Sequence, residues 1–164
     1  MSRRYTIPDP FRFAAVQGEA AGALLIADSE RLIGMLHDTS GEIAWQVRGE
    51  RKAEGRSFLH FELSGNAGLT CQRCLGRLDW RVAVQPVLRL VAEDSEIPDD
   101  ELEIEEYDTI EATRDLDVVA LVEDELLLAM PIAPMHETCE SPHPAGATAD
   151  ESPFAVLAKL RQRP

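Results

Sequence analysis

Between residues 43 and 90 apolar and polar side chains alternate in successive short runs, the signature of strands with one buried face. Ile43, Trp45 and Val47 share one side of the first run. In the second, Leu59, Phe61 and Leu63 oppose Ser57, His60 and Glu62, with Phe58 on the side of His60. Leu69 and Cys71 resume the pattern after Gly65-Asn66. Leu78, Trp80, Val82 and Val84 carry it beyond a Cys-Gln-Arg-Cys turn, and Leu88 and Leu90 follow Pro86. Alternating runs separated by turns predict an antiparallel sheet. Pro86, which has no N–H to give a ladder, predicts an edge strand or a bulge.

Helical signals flank this region. Asp9-Pro10 pairs an N-cap with proline at the first helical position, predicting a short helix through Phe11, Ala14 and Ala15. Residues 23–27 read as a strand, and Asp28 or Ser29 caps a second short helix holding Leu32, Ile33 and Leu36. Asp115 or Asp117 opens a longer helix that Pro131 closes. Its apolar stripe runs through Val119, Val122, Leu126 and Ala129, widened by Val118, Leu121 and Leu128. Glu123, Asp124 and Glu125 are consecutive on it and so point in different directions, unlike a catalytic carboxylate pair. Residues 140–152 are rich in Pro, Ala, Gly and Ser and read as a linker. Ser152-Pro153 then caps a last helix with Phe154, Leu157 and Leu160 at three-residue spacing and a basic end. The fold class is α+β: an antiparallel sheet with packed helices, an acidic loop, and a short C-terminal helix after a flexible linker. Residues 1–139 form the domain, 140–152 the linker and 153–164 the tail.

The 164 residues suffice for one buried core. The longest apolar stretch, Leu126 to Pro134, is interrupted by Pro131 and Pro134, so no membrane partner is expected. The N-terminus has no apolar signal core and the three cysteines are an odd number, which together predict the reducing cytoplasm. The net charge of −14 is unevenly spread. Residues 93–125 hold 16 of the 30 acidic groups with Arg114 as their one basic group, whereas residues 1–92 carry 12 basic against 10 acidic. The acidic stretch 93–113, with a short strand at Leu102–Ile104, reads as a solvated loop; the other reading is a surface that mimics RNA or engages a basic partner. Only the first half can offer a basic face.

Cys71 and Cys74 are the strongest local signal. Two thiolates two residues apart can grip one metal ion across a tight turn, and zinc needs four donors. His136 and Cys139 repeat the spacing and complete a Cys3His set, with His143 a weaker substitute. The halves lie much further apart than in a zinc ribbon, so a pair of reduced thiols bracing the turn stands beside the zinc reading. A thioredoxin-like role is disfavoured because the motif joins two strands rather than opening a helix. A thiol nucleophile such as Cys71 with His136 has no oxyanion-hole signature beside it. His60 and His37 read as structural. No phosphate-cradling or dinucleotide glycine motif points to a small-molecule substrate. Arg73, Arg77, Arg81 and Arg89 accompany Trp80, and Arg48, Arg51, Lys52 and Arg56 flank the preceding hairpin. Such guanidinium groups bind phosphates, or form an ordinary solvated sheet face.

Three segments in order, LTCQRCLGRLDWRVAV, LVEDELLLAMPIAPMH with its following cysteine, and SPFAVLAKLR, resemble the YceD family over about residues 43 to 163. The resembling motif positions are Cys71, Arg73, Cys74, Glu123, Glu125, Pro131, His136, Cys139, Phe154 and Leu157. The resemblance implies a bacterial or plastid protein without catalytic activity, acting in synthesis, processing or stability of 23S ribosomal RNA. Precursor 23S rRNA or a large-subunit assembly protein is the implied partner, with Arg73, Arg77, Arg81, Phe154 and Leu157 as contact candidates. A zinc-stabilised protein-interaction module regulating another process is the second reading, and a thiol enzyme the third.

Overall fold

The computed structural model describes residues 5–95 and 106–140. The elements are β1 (Thr6–Ile7), α1 (Pro10–Ala15), β2 (Glu19–Leu25), a 3-10 turn (Ile26–Asp28), α2 (Glu30–Ile33), β3 (Gly41–Arg51), β4 (Ser57–Thr70), β5 (Arg77–Val84), β6 (Val87–Val91), β7 (Asp108–Glu111), β8 (Leu116–Asp117) and α3 (Val118–Ala129). The main sheet runs β2-β3-β4-β6-β7 with β5 also on β4. A second, two-stranded sheet pairs β1 with β8. The expected α+β class and antiparallel sheet are what the chain forms, apart from β7, which runs parallel to β6.

Strand β4 is the backbone of this arrangement. It pairs with β3 along most of its length on one side, and with β6 and then β5 on the other. Leu63 faces Val84 and His60 faces Val87, three residues apart on both sides of the ladder, so β5 and β6 continue one register across Pro86. There is no bulge. The Pro86 carbonyl still accepts the Phe61 N–H at 2.9 Å, and the missing proline donor costs the ladder a single bond. The edge alternative applies: no strand among the described residues pairs with the far side of β5. Gly65 lies within β4 rather than at a turn. A Cβ there would stand 2.3 Å from the Glu42 carbonyl oxygen, so glycine lets β3 and β4 approach at this point.

The alternating positions read from the sequence face one core. Ile43, Trp45, Val47, Leu59, Phe61, Leu63, Val82, Leu88 and Leu90 are buried with Val118, Val119, Val122 and Leu126 of α3. Each such buried side chain is worth about 1.5–3 kcal/mol of transfer free energy. α1 crosses the same face at Gly49, where a Cβ would come within 2.7 Å of the Ala14 Cα. Phe58, on the opposite face beside His60, is covered by Tyr107 edge-on and by Lys52.

Four expectations are corrected. β2 begins at Glu19 rather than residue 23 and ends at Leu25, since Ile26–Asp28 turn into the 3-10 helix. The second helix stops at Ile33, short of Leu36. The acidic stretch is not all loop: Asp108–Glu111 forms β7, because Thr109 and Ile110 can pair with the exposed edge of β6 while the acids point outward. Leu128 is 74% exposed and does not widen the stripe of α3. The strand expected at Leu102–Ile104 and the linker and tail from residue 141 lie outside the described residues.

The caps are as expected. Asp9 accepts the Arg12 N–H, and Ser29 accepts the Leu32 N–H. Asp117, not Asp115, caps α3, accepting from Val119 and Ala120 at 3.0 and 3.1 Å. Asp117→Ala is expected to cost about 1 kcal/mol, read as a lower urea midpoint at unchanged m-value. A shift no larger than that of an exposed Glu→Ala control would show that packing alone holds this helix end.

Candidate metal centre

β4 and β5 extend together past the last β3 pair at Ala67, and the Cys-Gln-Arg-Cys turn closes the tip of this hairpin. The turn is tightly folded: the Leu75 N–H donates to the Cys71 carbonyl and the Cys71 N–H to the Gly76 carbonyl, both at 2.9 Å, with Leu75 at φ 59°. After α3, the segment 131–140 runs back to this tip, where the Gln72 N–H donates to the Pro134 carbonyl at 2.8 Å. The long sequence interval between the two half-sites is thus taken up by β5, β6, β7, β8 and α3, which bring them together.

The four donor atoms of Cys71, Cys74, His136 and Cys139 all lie within 4.8 Å of one another. The sulfurs of Cys71 and Cys139 are 3.8 Å apart, and Cys74 Sγ is 3.4 Å from His136 Nδ1. Donors on a tetrahedral zinc stand roughly 3.5–3.8 Å apart, whereas a disulfide needs about 2.05 Å. All three cysteines are free thiols. His136 Nε2 lies 3.0 Å from the Arg77 carbonyl, which can only accept, so the proton sits on Nε2 and the Nδ1 lone pair faces the sulfurs. This is the outer-sphere bond that orients a metal-binding imidazole.

The electrostatics suit a thiolate ligand. Burial resists ionisation of Cys71, but the N–H groups of Cys74, His136 and Arg73 directed at its sulfur outweigh this and pull its pKa down to about 5. Burial, then the neighbouring sulfurs of Cys71 and Cys74, push Cys139 the other way. Crowded thiolates repel, and a divalent cation at their centre is what relieves this.

The basic candidates do not form one face. Arg77 pairs with Asp38 at 2.7 Å and also with Asp79. The Ser40 hydroxyl, then Arg77, hold the Asp38 pKa down to about 2. Arg73 and Arg81 are exposed near the tip, Arg81 opposite Asn66. Trp80 packs against the core on the other side of β5. Arg51, Lys52 and Arg56 sit at the far end of β4, about 40 Å away along a strand of this length. Arg56 pairs with Glu54. Arg48 and His60 line a shallow hollow of about 330 Å³ on the outer face, but Glu19 and Glu62 share it, so its charge is mixed. His60 is bound to Glu50 at 2.7 Å. Phe154, Leu157 and His143 lie outside the described residues. Glu125, one of three consecutive acids whose burial composition does not reveal, is buried on α3 beside an apolar groove.

Residues 59–161 match the family model described as large ribosomal RNA subunit accumulation protein YceD. A protein of the same description from Haemophilus influenzae is 28% identical over 151 residues, covering 82% of this chain and 80% of that protein. No solved structure matches. No helix among the described residues is long and apolar enough to cross a membrane.

Proposed function

The chain belongs to the YceD family, and on that premise we propose that it is a non-enzymatic factor in synthesis, processing or stability of 23S ribosomal RNA. Its partner is precursor 23S rRNA or a protein of the assembling large subunit, met in the cytoplasm of a bacterium. The observation that carries the reading is the match across 103 residues to a family described by large ribosomal RNA accumulation.

The structural part of the proposal is a zinc ion held by Cys71, Cys74, His136 and Cys139. Four protein donors leave no open coordination position, the pattern of structural rather than catalytic zinc. The ion would clamp the 131–140 segment to the β4–β5 tip and so fix the surface around Arg73. Cells lacking the protein are expected to show less mature 23S relative to 16S rRNA, with large-subunit precursors accumulating, both reversed by the wild-type gene. An unchanged 23S to 16S ratio and precursor profile overturns the reading.

One observation favours the second reading, a zinc-stabilised protein-interaction module. Leu75, Ile132 and Met135, neighbours in sequence of the four donors, are exposed. Stoichiometric binding of one protein without RNA supports that reading; salt-dependent RNA binding supports the first.

A further inference from the structure

A groove of about 400 Å³ lies between α3 and the β6–β7 side of the sheet. Ile110, Leu121 and Leu128 contribute apolar surface, and Asp108, Asp124 and Glu125, against the single basic residue Arg31, leave its polar part net acidic. Two features mark the groove as incomplete. Leu128 projects into solvent from a helix whose other side is fully packed. Glu125 is only 9% exposed, yet no basic group among the described residues pairs with it; Arg31 instead meets Asp124 and Glu123. Burial, then Asp108 and Asp124, push the Glu125 carboxyl above the usual range, the mark of a buried acid with like charges for neighbours.

The chain itself carries a complementary segment. Phe154, Leu157 and Leu160 recur at helical spacing, and Lys159, Arg161 and Arg163 follow with no acidic group after Glu151. A helix of this length is unstable unless its apolar stripe is covered. The 13 residues from 141 to 153 can span about 45 Å, against a radius of gyration of about 15 Å for a domain of this size. We propose that the groove is the docking site of the chain's own C-terminal segment, with Phe154, Leu157 and Leu160 on the apolar surface and the basic groups against Glu125, Asp108 and Asp124. The tail would then supply a cation to Glu125 and Asp108, which Arg31, engaged with Asp124 and Glu123, does not serve.

The test uses the full-length chain with Phe154→p-benzoylphenylalanine, irradiated at low concentration and mapped by mass spectrometry. A product of monomer size, linked to residues 107–111 or 118–130, is expected. Leu128→Asp in the same background should cut its yield at least fivefold, and so should Lys159→Glu with Arg161→Glu, which leaves the described domain untouched. Absence of a cross-link, a link to another part of the chain or a yield insensitive to the tail variant overturns the proposal. So does a link joining two chains, which makes a second copy the occupant, or one formed only when ribosomal particles are added, which makes the occupant a partner.

Discussion

Purified protein is expected to contain about one zinc per chain, and Cys139→Ser to abolish the stoichiometric metal and lower the melting temperature by roughly 6–12 °C, the equivalent of about 3 kcal/mol in a domain of this size. The size of the effect follows from how little else holds the 131–140 segment. It has no regular secondary structure, Ile132 is fully exposed, and, besides the contacts among the four donor atoms, the bonds that tie it to the tip include those of Gln72 with Pro134, of the His136 N–H with Cys71 and of the His136 ring with Arg77. Removing one ligand leaves an incomplete site with two crowded thiols and no ion. Cys139→His, which retains a donor, should recover part of the metal and part of the melting temperature. Chelation of the wild type should reproduce the Cys139→Ser transition. A metal-free preparation whose melting is unchanged on chelation would return the cluster to the simpler reading, reduced thiols bracing a turn.

The inward positions of β3 to β6 were legible because period-two alternation follows directly from the pleat, and one face must be dry. The four donors were legible as residue types at matched spacing. What could not be read was their approach, since it depends on α3 and the strands between the half-sites returning the chain to the hairpin tip. β7 was hidden by composition: dense acid argues for solvent, yet Asp108–Glu111 needs only to lend backbone bonds to the edge of β6 and can keep its carboxylates outside. The two-residue strands β1 and β8 have no periodicity to detect and exist because the N-terminus is tied to the start of α3, where the Val118 N–H donates to the Tyr5 carbonyl. Leu128 followed a helical spacing that fitted the stripe, yet it is exposed, since spacing along a helix does not say how wide a strip of it the sheet covers. Arg77 looked like a phosphate ligand from its neighbours in sequence. Its actual neighbours, Asp38 and Asp79, come from another loop and from the same strand face.

That last point decides how direct RNA contact should be tested. Arg77→Glu would place three carboxylates together and disturb the loop carrying Asp38, so a loss of binding would not separate contact from structure. Arg73 and Arg81 are exposed near the same tip and leave that ion pair intact. The combined Arg73→Glu and Arg81→Glu variant is expected to bind RNA at least ~10-fold more weakly and to reduce the salt slope by roughly 1.4–1.8, because each phosphate neutralised contributes about 0.7–0.9 to it. Its melting temperature should be unchanged. Arg51→Glu, at the opposite end of β4, serves as the control for net charge alone. The acidic segment supplies the opposing arm. Its deletion must spare β7, so the suitable change neutralises Glu96, Asp99, Asp100, Glu101, Glu103 and Glu105 to their amides, and RNA affinity should rise without regard to sequence. If the double glutamate variant binds RNA normally and restores 23S rRNA in cells lacking the protein, this face makes no contact with RNA. The effect on the large subunit would then pass through a protein partner, for which the exposed Leu75, Ile132 and Met135 are the first residues to change.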